Sequence, residues 1–415
     1  MLSSRCCQFP SNANQLHNAL RLTLGSYSGR CPTTNTTTTT TTTTTKLTSA
    51  PNYLYLRLAR RFNQKAKYLT VRRVPQYQKM APQKKKGVDR SIPKPSASVI
   101  LISPQNEVLL LHRVQNSSSF PSAHVFPGGN ISSQDGDFPP AGHPDSHDEG
   151  PHYRRAAIRE LFEESGILLA KNNRTGKMIH VNVDEREIGR HAIHKNKITF
   201  NEWLKSIDEA AEPDIDPLIP FTHWITPTTN PRRYTTQMYL YFLPLSSESK
   251  SIIGSEESEV QAPTSDGGIE ITEARFLPAS EWLRLAKNGD AIMFPPQVFL
   301  LSFVAQFLER PGENAADVSK EESARRRAEL VDFVHSGSPP WTDKYISPIA
   351  IGQVPDGRNI LTLDYVGPEL QGSEKKGEPD RVVLVRFRKE GPREVEIRWR
   401  NEVVVPEKKL AKSAL

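Results

Sequence analysis

Cysteine is nearly missing from this chain: Cys6, Cys7 and Cys31 are the only three in 415 residues. A disulfide scaffold and a cysteine-ligated zinc site are therefore excluded beyond position 31, and the cysteine-free body suits a reducing compartment. Long apolar runs are missing too. Mean hydropathy is −0.53, and no stretch approaches the roughly 18 unbroken apolar residues of a bilayer-spanning helix, so no membrane span is expected. Acid is missing from the first 88 residues, since no Asp or Glu precedes Asp89. Of the 54 Lys and Arg, 15 lie in that segment, leaving 39 in the rest against all 47 Asp and Glu. The net charge of +7 thus belongs to a basic tail on an acidic body. The body is not read as a nucleic-acid platform.

Residues 1–88 are rich in Ser, Thr, Asn, Arg and Lys, with an unbroken Thr run from Thr36 to Thr45. Such a composition cannot bury enough apolar surface to offset chain ordering, so a disordered basic tail is expected. Arg-rich, Ser-rich and acid-free is also the composition of a mitochondrial transit peptide, with Leu54–Phe62 as a short basic amphipathic helix. The competing reading starts translation at Met80 and leaves the protein cytoplasmic. The C-terminal Ser413-Ala414-Leu415 is loosely similar to the peroxisomal Ser-Lys-Leu signal. Peroxisome and mitochondrion both stay open.

Fold signal begins at Ser96. Val99–Ile102 and Val108–Leu111 are apolar runs separated by Pro104-Gln105-Asn106, which predicts a hairpin of two buried strands. A Phe126-Pro127-Gly128-Gly129 turn follows, and Ser132–Gly150 reads as an exposed loop. Helices are expected over His152–Leu169, Asn201–Ile207, Pro278–Lys287 and Pro295–Leu308, and strands over Phe221–Thr226, Thr235–Leu245 and Ile269–Leu277. Ser246–Gly268 reads as a polar loop. Beyond it, Glu321–His335 predicts a charged helix, and Asn359–Val366, Arg381–Arg388 and Arg393–Arg400 predict an antiparallel meander. The expected organisation is a tail over 1–88, an α/β body over 92–312 with an inserted loop at 130–151, and a helix-plus-β extension over 315–415.

The chemistry-bearing string is Arg159-Glu160-Leu161-Phe162-Glu163-Glu164-Ser165-Gly166-Ile167. Glu160, Glu163 and Glu164 stand at i, i+3 and i+4, on one helix face, where like charges repel. One reading is a solvated face. The other is a site for hard divalent cations, which take several carboxylate oxygens. His143, His147 and His152 show no regular ligand spacing and are not read as a zinc site; Trp203, Trp282 and Trp399 read as core or rim packing.

Together with the Phe-Pro-Gly-Gly turn, the string resembles the Nudix hydrolase signature, over roughly Pro95–Arg310. That resemblance implies an αβα sandwich that cleaves nucleoside diphosphates linked to another moiety, with Mg2+ or Mn2+ as cofactor. The second half of the signature matches at every fixed position. In the first half the family has a glycine, five residues, a glutamate, seven residues and the arginine. Counting back from Arg159 places Pro151 at the glutamate, and Gly129 lies thirty residues before Arg159 instead of fourteen, so a 16-residue insertion divides the box. Glu149 is the candidate for the displaced orienting glutamate, with Asp148 as rival. Leu109–Arg113, Ala123–Gly129, Trp224–Pro227, Arg232-Arg233-Tyr234 and Pro295-Pro296-Gln297 are similar to the peroxisomal coenzyme A diphosphatase branch. The expected substrate is coenzyme A or acyl-coenzyme A. A nucleotide sugar, a dinucleotide or an RNA cap is the alternative within enzymes, and a non-catalytic Nudix-fold binding module is the alternative outside them.

Physically, cations held by Glu160, Glu163 and Glu164 would neutralise the diphosphate and make bound water more acidic. The Gly129 carbonyl could add a ligand, because glycine lets the backbone approach closely. Arg159 is expected to orient the acids through a carboxylate. Arg113, Arg232 and Arg233 are candidates for binding phosphate, since a guanidinium fork matches phosphate oxygens, or for surface salt bridges.

Overall fold

The computed structural model describes residues 92–114, 122–140, 142–245, 263–264, 271–313 and 317–403. The expectations for the tail, for most of the 246–268 loop and for the C-terminal tripeptide lie outside the described residues.

The hairpin forms as expected from β1 (Lys94–Ile102) and β2 (Val108–Arg113), closed through Asn106 at φ 64°, a left-handed position that asparagine tolerates. Two short strands follow, β3 (His124–Val125) and β4 (Gly128–Asn130). Helix α1 (Pro151–Ser165) opens on a proline and stops at Gly166, whose φ of 74° terminates it before the expected Leu169. Next come β5 (Ala170–Asn172), α2 (Val183–His194), α3 (Phe200–Ile207), β6 (Ala211–Pro213), β7 (Ile219–Ile225), β8 (Tyr234–Phe242) and β9 (Ile271–Leu277). The C-terminal elements are α4 (Ala279–Asn288), α5 (Pro295–Leu308), α6 (Lys320–Val334), β10 (Tyr345–Ile346), β11 (Ile349–Gln353), β12 (Asn359–Leu363), β13 (Glu378–Arg388) and β14 (Gly391–Trp399).

One mixed sheet runs β10-β7-β8-β1-β2-β3, with β4 on β1 and β9 on β2. The apolar run in β1 is continuous because both of its faces are covered. Val99 and Leu101 join the core beneath α1, with Leu161 and Phe162. Ile100 and Ile102 join the opposite core, with Phe299 and Leu300 of α5. This is the expected α/β sandwich. The extension is a four-stranded meander, β11-β12-β13-β14, one strand more than expected. Its Leu361, Leu363, Val383 and Val385 share the α5 core, which explains why α5 is apolar on nearly every side.

Sequence reasoning missed α2, and the reason is chemical. Its buried residues are Arg186, Gly189, Arg190 and Ile193, while Val183 and Ile188 face solvent, so no apolar period marks it. The Ser132–Gly150 loop is not exposed throughout: Asp135, Ser146 and His147 are buried.

Candidate active site

Helix α1 places its acids where β4 passes. A Cβ on Gly129 would meet the Glu160 carboxylate at 2.4–2.6 Å, so any larger residue there would push that carboxylate out of its present position. Arg159 lies among the acids with its side chain 5% exposed. Its Nη1 donates to Glu160 Oε1 at 2.8 Å and to Glu163 Oε1 at 2.9 Å. Its Nε and Nη2 fork onto Asp135 at 2.8 and 2.9 Å, and Nη2 also reaches the Asn130 carbonyl. Glu164 accepts from the Gly128 N–H at 2.9 Å and from Arg113 Nη1 at 3.3 Å. Burial opposes the Arg159 charge, but Glu160, Asp135 and Glu163 outweigh it and hold the guanidinium protonated. Burial pushes the Glu160 carboxyl up to about 7; Arg159 opposes this, while Glu163 and Asp135 add to it.

The orienting carboxylate is therefore Asp135, and the assignment to Glu149 is corrected. Glu149 accepts from Arg154 at 2.6 Å and from the Tyr239 hydroxyl at 2.8 Å, which ties the start of α1 to β8. Asp148 pairs instead with Lys375 at 2.9 Å. The signal for Asp135 was present: counted forward from Gly129 with five residues in between, the position holds an acid. The insertion falls after that acid, so counting back from Arg159 misplaced it.

The three phosphate candidates have different fates. Arg113 sits at the end of β2, on Glu164. Arg232 is exposed in the turn before β8. Arg233 is buried and forks onto Glu369 at 2.5 and 3.1 Å, with Nε on the Thr226 carbonyl. It is a cross-link to the C-terminal extension, which corrects its reading as a phosphate ligand. His147 likewise serves the interior, with Nδ1 2.8 Å from Thr235 Oγ1. Trp203 and Trp282 are buried, whereas Trp399 is half exposed.

A cleft of about 270 Å³ opens over the acids, lined by Asn130, Ser132 and Gln134 on one side and by His194 and Asn196 on the other. The second wall comes from the turn between α2 and α3, which no motif marked. Arg190 of α2 also went unnoticed; it donates twice to the Glu163 carbonyl, at 3.1 and 3.3 Å, and so secures the last turn of α1. Among the described residues no three acidic, His or Cys side chains are gathered as a ready ligand cage. The donors are nonetheless all oxygen, as hard cations require, and the Gly129 cradle brings the backbone against Glu160.

The site is thus an Arg-Glu-x-x-Glu-Glu helix facing a glycine turn in a mixed sandwich. Residues 147–304 match the family model described as the NUDT19 Nudix domain. The chain is 29% identical to the Caenorhabditis elegans protein named "Putative nudix hydrolase 7", over 51% of this chain and 60% of that one. It is 25% identical to the Xenopus laevis protein named acyl-coenzyme A diphosphatase NUDT19, over 48% of this chain and 60% of that one. It thus spans about three fifths of each of these curated relatives. Among solved structures, a NUDIX hydrolase from Alicyclobacillus acidocaldarius aligns at 20% identity and TM-score 0.41, over 52% of this chain and 91% of that one.

Proposed function

We propose that the protein is a metal-dependent diphosphatase that hydrolyses the diphosphate of coenzyme A or acyl-coenzyme A, in the peroxisome or mitochondrion. The observation that carries the reading is the cleft lined by Glu160, Glu163 and Glu164, the first two held on Arg159, Glu160 against the Gly129 backbone and Glu164 on the Gly128 N–H. The name of the Xenopus laevis relative supports the choice of substrate. Glu160, Glu163, Glu164 and the Gly129 carbonyl would hold Mg2+ or Mn2+. When bound, such ions neutralise phosphate charge and acidify water. Arg159 keeps two of the three carboxylates in register. Asp135 holds Arg159, and Arg113 holds Glu164 from the other side of the turn.

The test is incubation of the purified chain and its Glu163→Gln variant with coenzyme A, nucleotide sugars, dinucleotides and capped RNA in Mg2+ or Mn2+, with products separated by charge. Coenzyme A should be cleaved at phosphorus to two phosphomonoesters, and Glu163→Gln should lower turnover by about a hundredfold or more, the scale of one lost charge-stabilising group. Preferred cleavage of another diphosphate overturns the substrate. Full activity of Glu163→Gln at saturating metal overturns the site.

A further inference from the structure

The cleft of about 270 Å³ is smaller than the roughly 300–1,000 Å³ clefts that enclose a drug-sized ligand. A nucleotide engaged at the acids must therefore cross the rim. On the rim supplied by α2 and α3 the sequence reads His194-Lys195-Asn196-Lys197. His194 and Asn196 line the cleft, and Lys195 and Lys197 flank Asn196, exposed. Neither lysine makes an ion pair among the described residues, whereas Arg113 and Arg233 are each paired with a glutamate.

The turn is rigid. The Asn196 N–H donates to the Ile193 carbonyl at 2.8 Å and the Lys197 N–H to the Ala192 carbonyl at 2.9 Å, the paired bonds of a Schellman cap. Asn196 takes the left-handed position at φ 52°, which glycine usually fills. Here the residue adds a side-chain amide to the cleft lining. Three residues on, Thr199 and Glu202 close a capping box on α3, so both ends of the turn are fixed. Lysine at a helix C-terminus also complements the helix dipole, but the dipole asks nothing of Lys197, which lies beyond the cap.

We propose that the His194–Lys197 turn is an anion-reading rim that selects diphosphates bearing a further phosphate monoester beyond the scissile bond. The acids lining the cleft, Glu160, Glu163 and Glu164, are set against Arg159, with Asp135 and Arg113 bonded behind them, so among the described residues the lining offers that phosphate no unpaired cation. The rim offers two, as compact ammonium charges. The proposal rests on the diphosphatase reading of the same cleft and names the substrate feature read there.

The test uses the full chain, Lys195→Gln/Lys197→Gln and the charge-keeping Lys195→Arg/Lys197→Arg. Adenosine 3′,5′-bisphosphate and AMP are titrated calorimetrically in Mg2+, and KM is measured for coenzyme A and dephospho-coenzyme A. The wild type should prefer the bisphosphate by about tenfold, the scale of one charge-assisted contact. The glutamine pair should lose that preference and raise the coenzyme A to dephospho-coenzyme A ratio of KM values to a similar extent, and the arginine pair should restore both. Equal weakening toward both nucleotides, or no preference in the wild type, overturns the proposal. If neither coenzyme is hydrolysed but the preference exists and follows the lysines, the rim stands and the coenzyme A reading of the site falls.

Discussion

Asp135 and Glu149 show how much a single residue's surroundings decide. Both are acids lying between the glycine turn and Arg159 in sequence, but Asp135 is 2% exposed on an arginine at 5%, while Glu149 is 30% exposed on Arg154. Breaking a buried pair costs about 3–5 kcal/mol, because the surviving charge has no water; a half-exposed pair contributes about 0–1 kcal/mol. Asp135→Asn should therefore lower stability by about 3 kcal/mol, the lower end because Glu160 and Glu163 still hold Arg159. It should lower kcat more than it raises KM. Glu149→Gln should cost under about 1 kcal/mol. Urea midpoints of the two variants check this, and equal losses would return Glu149 to the orienting role.

Among elements, the inserted loop is seated by a polar cluster on β7 and β8. Thr235 Oγ1 lies 2.8 Å from His147 Nδ1 and 2.5 Å from His223 Nε2, and Gln237 holds His223 Nδ1 at 3.1 Å. Tyr345 of β10 stacks on His223 at 4.8 Å and donates to the His147 carbonyl, while Lys375 reaches both the Tyr345 hydroxyl and Asp148. Burial, and then His147 and Lys375, push the His223 imidazole down to about 3 against the opposing hydrogen bond from Gln237. Between the ordinary histidine value near 6.5 and about 3, the unfolded chain binds a proton that the folded one refuses. The stability tied to neutral His223 is thus complete above about 6.5 and is lost as pH falls, by up to about 1.4 kcal/mol per pH unit within that window. His223→Gln should flatten the acid limb of stability by about one proton between pH 6.5 and 4. Parallel limbs for wild type and variant would show that His223 does not set the acid sensitivity.

For the described body as a whole, the C-terminal extension completes the core. The Phe303 ring centroid lies 4.9 Å from Phe333 and 4.8 Å from Trp341, and Phe307 lies 4.9 Å from Phe333. Arg233–Glu369 and Lys344–Glu378 add buried ion pairs from the same region. Ending the chain before Lys320 would uncover the outer face of α5, at about 1.5–3 kcal/mol for each large side chain exposed. That is comparable in sum to the whole stability of a domain. The truncated chain should lose cooperative unfolding and its near-ultraviolet circular dichroism. A sharp unfolding transition with native spectra would show that the extension is dispensable.

The parts legible in the sequence are those governed by local periodicity. The i, i+3, i+4 acids, the two-faced apolar run of β1, the proline start of α5 and the alternation of β13 each follow from the pitch of one element. Gly129 was legible for the same reason, as a turn residue at fixed distance from a strand. Helix α2 was not, because its buried face carries arginines in place of an apolar period, and Arg190 finds a partner in the Glu163 carbonyl 27 residues away. Nor was the choice of Asp135 over Glu149, since an insertion leaves the acid near Arg159 in space but 24 residues from it in sequence. The burial of Arg233 depended on Glu369, 136 residues distant. Spacing determines which side chains share a face. Which charges are taken out of water together is decided only when distant elements close over them, because a buried charge is tolerable only beside its partner.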